Sequence, residues 1–183
     1  LKEAGFSDEM LKEAGYTATE FKDSGVSAVQ LRTIGFLVTE LKESGFSAKD
    51  INGGGKWELN LMWDVKRAGF SAQALKFSGL SAADLKAIDF SVKELEAAGF
   101  RANQLRQAGF TGLELKGVGF KPGELRAVGY LAAELHAAGF TVKELRDSGY
   151  SATELKAAGI TVAELKDSGF AASALRSDGF VVN

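Results

Sequence analysis

The sequence predicts an all-α fold, a single-layer α-solenoid or superhelix of about 17–18 short two-turn helices, one per ten-residue repeat. Three observations predict it. Glycine recurs every tenth residue, at Gly5 to Gly55, at Gly69 and Gly79, and from Gly99 to Gly179, with Asp89 in the one vacant slot. Seven of the intervals carry a helix start signal, Ser or Thr followed three residues later by Glu or Gln. The interiors are Glu, Leu, Lys and Ala, which are strong helix formers and lack the alternation of a strand. A fixed short period marks an array in which each unit leans on its neighbours.

The elements follow from the consensus Gly-Phe-Ser-Ala-x-Glu-Leu-Lys-x-Ala. Between Gly139 and Gly149, Thr141 is placed to accept a hydrogen bond from an unpaired N–H of the first turn, and Glu144 to accept from the Thr141 N–H in return. The same pair stands at Thr17/Glu20, Ser27/Gln30, Ser91/Glu94, Thr111/Glu114, Ser151/Glu154 and Thr161/Glu164. Phe140 before the cap and Leu145 at the fourth helical position form a hydrophobic staple. Gly149, like Gly159 one unit later, supplies the left-handed backbone that ends a helix, and Tyr150 packs back on the last turn. Pro122 falls at a first helical position, where its missing N–H costs nothing.

Each unit is thus a helix of about seven residues, well below the roughly 12–15 residues at which an isolated helix becomes marginal in water. Neighbours must hold it. Val142, Leu145 and Ser148 share one face, and Ala98, Ala108, Ala138 and Ala158 before the glycines admit the next helix closely. The number of helices per superhelical turn is not legible. A period of twenty leaves only the weak alternation Val142, Ala152, Val162, Ala172, Val182.

Domain organisation reads as one array over 1–183, with first repeats in 1–52, an interruption in 53–68 and the remaining repeats in 69–183. In the interruption the glycine lattice slips by four residues, about one helical turn. Both tryptophans and Met62, one of two methionines, lie there. A helix from Trp57 to Ala68 would put Trp57, Leu61, Val65 and Ala68 on one face, and Leu59, Met62 and Trp63 on a second. Three readings stand side by side: a longer helix that fills a local gap, a hinge between half-arrays, and a docking site using Trp57, Leu59, Met62 and Trp63, residue types favoured in interface cores. Gly53-Gly54-Gly55-Lys56 is not a phosphate loop, because the spacing is wrong and no Ser or Thr follows the lysine.

Composition narrows the function. Lys and Arg total 22 against 24 Asp and Glu, a net charge of −2, which argues against a nucleic-acid footprint. Basic residues follow the repeat leucine (Lys12, Lys42, Arg106, Lys156) and glutamate precedes it, so ion-pair ladders between neighbouring helices are expected. Cysteine is absent, which removes disulfides and thiolate chemistry. No segment approaches the roughly 20 apolar residues of a membrane span. Leu1 enters in mid-helix without a cap or initiator Met, and Phe180-Val181-Val182-Asn183 opens a unit without finishing it. An array that continues, or whose ends are covered by partners, would look like this.

Asp89 can hold the left-handed conformation of its slot. The sole histidine, His136, reads as an exposed residue near a helix C-terminus. Phe77, Leu37 and Leu131 put apolar groups at polar positions and suggest lateral contacts, and Lys56 stands where an aromatic is expected. Catalytic residues, cofactor-binding residues and metal ligands are not expected: paired acids outside the caps, a nucleophile with its base and a phosphate loop are all missing.

Units such as Ser151-Ala152-Thr153-Glu154-Leu155-Lys156-Ala157-Ala158-Gly159 resemble decapeptide-repeat, short-helix solenoid proteins, over nearly the whole chain outside the interruption. The resemblance implies a fold and no activity. The expected function is a non-catalytic scaffold or linker that binds protein partners along an extended surface, as a subunit of a larger assembly. The alternative is a binder of nucleic acid or of a repetitive surface such as ice or a polysaccharide. Against it stand the near-neutral charge and the commitment of Ser and Thr to capping.

Overall fold

A computed structural model describes residues 5–177. Leu1, Gly179 and Phe180–Asn183, on which the expectations about the chain ends and the Val182 alternation rest, lie outside the described residues. The chain divides into two compact units, Leu1–Gly99 and Phe100–Asn183. Within the first run α1 (Asp8–Glu13), α2 (Ala18–Asp23), α3 (Ala28–Thr33), α4 (Val38–Glu43), α5 (Ala48–Asn52), α6 (Leu59–Arg67), α7 (Ala72–Phe77), α8 (Ala82–Ala87) and α9 (Val92–Ala97). The second holds α10 (Ala102–Gln107), α11 (Gly112–Gly117), α12 (Pro122–Ala127), α13 (Ala132–Ala137), α14 (Val142–Asp147), α15 (Ala152–Ala157), α16 (Val162–Asp167) and α17 (Ala172–Ser177). Both units are all-helical repeat solenoids, with no strand among the described residues.

The helices are six residues long rather than seven, apart from five-residue α5 and nine-residue α6. Their ends obey the repeat markers. Thr141 Oγ1 accepts from the Glu144 N–H at 3.2 Å, and the Glu144 carboxylate accepts from the Thr141 N–H at 2.7 Å. Ser151 and Glu154 repeat this at 3.2 and 2.7 Å. Leu37, Arg101, Lys121 and Leu131 replace the hydroxyl residue, and there only the Glu or Gln arm of the box remains. At the other end, the Gly149 N–H donates to Arg146 O and the Tyr150 N–H to Leu145 O, a Schellman closure built on Gly149 at φ +91°. Gly159 does the same at φ +86°, and Asp89 holds the conformation at φ +59°. Gly55 departs from the lattice. Helix α5 stops one residue early, and Gly53 and Gly54 take the left-handed backbone instead.

Packing supplies the missing period. Helix n touches helix n+1 and also helix n+2, as in α3 with α5 and α4 with α6, or α11 with α13 and α13 with α15. Two helices therefore make one turn of each coil, a spacing of twenty residues. The repeat leucines lie inside, fully buried from Leu31 to Leu165, with Ile51 in the same position. Rings after the glycines close the layer, and no polar or charged residue is buried among the described residues. The first helical position faces the helix two steps on. A Cβ on Gly112 would come within 2.9 Å of Leu135 Cδ2, so α11 and α13 approach closely there. In the second unit tyrosine rungs tie successive turns, Tyr130 Oη donating to Phe110 O and Tyr150 Oη to Tyr130 O. Burial is the main cause that raises the pKa of both phenols.

Candidate functional site

Many of the basic residues after the repeat leucines are engaged otherwise than in the expected ladders. Ion pairs among the described residues are few and mostly loose: Arg126–Glu154 at 3.9 Å, Arg67–Asp64 at 3.8 Å, and Arg146 with adjacent Asp147 at 2.6 Å. Instead the cation reaches to the end of the helix two steps on. Lys12 Nζ donates to Ile34 O at 3.0 Å and lies 4.8 Å from the Phe36 ring centre. Lys22 makes the same pair with Ser44 O and Phe46, and Lys66 with Ile88 O and Phe90. Arg106 follows with Val128 O and Tyr130, and Lys116 with Gly139 O and Phe140. A cation at the negative end of a helix, over an aromatic face, is favourable on both counts. The glutamates were unavailable for ladders because their own helix starts claim them. Hydrogen bonds from Thr141 or Ser91 hold Glu144 and Glu94 below the usual carboxylate range, with nearby Lys116 and Lys66 adding to the effect.

This brace forms the wall of a groove that recurs at matching positions. Lys66, Phe70, Phe90 and Glu94 line one of about 490 Å³. Arg106, Phe110, Tyr130 and Glu134 line another of about 530 Å³, and Lys12, Tyr16, Phe36 and Glu40 a third of about 440 Å³. Each lies between the start of one helix and the flank of the helix two steps on, over a floor of small residues such as Ala72, Ala97 and Ala98. Sequence reasoning missed these grooves, because their walls come from residues 24 and 28 positions apart.

The interruption differs from expectation in its boundaries. The helix spans Leu59–Arg67, with Glu58 extended ahead of it, and Trp57 lies outside, its indole N–H donating to Ser78 O at 3.2 Å. Leu61, Met62 and Val65 are buried, so the supposed second apolar face is divided. Met62 belongs to the core, Trp57 and Trp63 are half-buried, and Leu59 is 54% exposed. Lys66 Nζ lies 5.5 Å from the Trp63 ring centre. Met62 is thus not a surface group. The geometry brings forward Leu37, 66% exposed, which lines a groove of about 370 Å³ between α4 and α6 together with Phe36, Val38, Asp64 and Arg67.

His136 is half-buried rather than exposed, and its Nδ1 is enclosed without a hydrogen-bond partner. Asp84, five residues before Asp89, is bound into the cap of α8 by the Ser81 N–H and hydroxyl at 2.9 and 2.6 Å. Phe77 and Leu131 are exposed as read from the sequence, and Leu113 joins them on the rim of the Arg106 groove. No helix among the described residues is long and apolar enough to cross a membrane.

Helices closed by their own residues, stacked at a spacing of two and clamped by cations at many of their corners, define a helical repeat protein. The decapeptide repeat region family matches residues 1–56, 62–132 and 119–183, and the chain belongs to that family. The gap between the first two matches, 57–61, lies within the interruption. No curated protein and no solved structure matches the chain.

Proposed function

We propose that this chain is a non-catalytic scaffold or linker that binds protein partners along its helical-repeat surface, as a subunit of a larger assembly. The observation that carries the reading is the recurrence of one groove, with equivalent walls, at three separate places along the array. Repetition of a shallow, partly apolar recess suits an extended partner better than a single small substrate. The brace speaks against nucleic acid, because many of the lysines and arginines that could neutralise phosphates already serve carbonyls and rings. The capping hydroxyls speak against an ordered polar surface, since their oxygens are engaged by their own helix starts.

The test is cross-linking mass spectrometry on the protein isolated from its own cells under mild conditions. The expected result is a particle well above 19.4 kDa with cross-links near groove residues such as Thr19, Gln73 and Leu113. A chain recovered alone, or one that carries nuclease-sensitive mass, overturns the reading.

A further inference from the structure

We propose that the groove between α4 and α6 is a docking site for an acidic–aliphatic segment of a partner protein, in which a leucine-like side chain stands beside a carboxylate. The proposal rests on the scaffold reading and names the partner chemistry of one place on its surface.

Arg67 carries the argument. In each repeat the cation slot follows the buried leucine, and the next position holds Glu13, Asp23, Thr33, Glu43, Phe77, Ala87 or a similar non-basic residue. Only α6 has two cations in succession, Lys66 and Arg67. Lys66 fills the brace, bonded to Ile88 O at 2.5 Å and lying over Phe90. Arg67 is therefore a cation the architecture does not use. Its side chain is 76% exposed, and its partner is Asp64 at 3.8 Å, one turn away and itself half in solvent. Such a pair is weak and readily exchanged for a better acceptor. Arg32 on the same wall is not available, because its Nη1 donates to Ile51 O at 2.9 Å.

The apolar half of the site lies opposite. Leu37 occupies a slot that holds Ser or Thr in most repeats and is 66% exposed, although the Glu40 arm of the cap remains at 2.6 Å. Phe36 and Val38 continue the wall inward and are buried. The groove thus offers an aliphatic surface and one guanidinium held only by the loose, exposed pair with Asp64. A carboxylate can take the fork of Arg67 in bidentate fashion while the neighbouring aliphatic side chain covers Leu37. A basic or a wholly polar segment would leave one half of the site unmatched.

The probe is a fluorescein-labelled peptide, acetyl-Gly-Glu-Leu-Asp-Leu-Glu-Gly-amide, with one twin in which the acids are lysine and one in which the leucines are serine. Fluorescence anisotropy with the full chain should show binding of the first peptide and neither twin. Arg67→Gln should weaken it about tenfold, roughly what one charge-assisted hydrogen bond contributes. Leu37→Ser should weaken it by a similar factor while restoring the cap hydroxyl, so misfolding cannot account for the loss. Unchanged helicity by circular dichroism checks this. Binding to either variant as tight as to the unaltered chain, equal binding of either twin, or no anisotropy change with the first peptide overturns the proposal. Self-association in sedimentation that Leu37→Ser abolishes also overturns it, because the face would then cover a second copy. None of these outcomes touches the scaffold reading, which falls only if cross-linking finds the native protein alone or carrying nucleic acid.

Discussion

Substituting valine for Gly129 separates the two devices that close a helix. Gly129 sits at φ +90°, so any side chain there incurs the left-handed cost of about 1–2 kcal/mol. A Cβ would also run into the Arg106 guanidinium, with Cζ at 3.3 Å, and would displace it from Val128 O and the Tyr130 ring. Loss of that hydrogen bond and cation–π contact adds about 1 kcal/mol for a group near the surface. Gly159→Val is the internal control. Its φ is +86°, yet a Cβ there meets nothing within 4 Å, so it incurs the backbone cost alone. Gly129→Val should therefore destabilise by about 2–3 kcal/mol and Gly159→Val by about 1–2 kcal/mol. Urea denaturation followed by circular dichroism, with hydrogen exchange to localise the change, reads both. Adding Arg106→Ala to each should shrink the difference. Equal losses from the two valines refute a stabilising brace, and unchanged midpoints refute the left-handed terminators.

Leu37→Ser completes the capping box on α4 and should raise stability by about 1 kcal/mol, seen as a higher denaturation midpoint; a lower one contradicts the cap geometry. The carboxyls of Glu20, Asp50, Glu94, Glu144, Glu154 and Glu164 are held below their ordinary values chiefly by hydrogen bonds from the cap residues. A depressed folded-state pKa means the stabilisation is present above the unfolded value and disappears as pH falls through the folded one. Midpoints should hold down to about pH 4 and fall below it, and Glu144→Gln, which keeps the box without the charge, should flatten part of that slope. Trp57→Phe removes the hydrogen bond to Ser78 O and should cost about 1 kcal/mol, with faster exchange in α6 and α7. Exchange changes elsewhere, with those two helices untouched, would displace Trp57 from that role.

Helix ends were readable in advance because their causes are local: Thr141, Glu144 and Gly149 act within a span of nine residues. The brace was not, for a reason inherent in repetition. Lys12 precedes an apolar residue at every tenth position as far as Phe46, most of them aromatic, and only packing selects Phe36 over Tyr16 or Phe46. The same degeneracy hid the coil of two helices per turn, since a sequence repeating every ten also repeats every twenty. Charge alternation misled because it ignored competition. A glutamate three residues after a cap finds an N–H before it finds a lysine, and the lysine finds the carbonyls of a helix end. At the interruption, composition located the departure, but the border at Leu59 depended on Trp57 having a distant acceptor.

Lys42 shows how such a chain tolerates an insertion. Its partners are Ala68 O and Gly69 O at 2.7 and 2.8 Å and the Phe70 ring at 5.3 Å, four positions later in sequence than the rule for Lys12 or Lys22 would place them. The clamp is addressed to a corner in space and not to a count of residues. Extra chain is therefore admissible wherever it adds one whole turn to a rod and brings the following corner back under the same lysine. An addition of two residues would rotate the next leucine out of the interior.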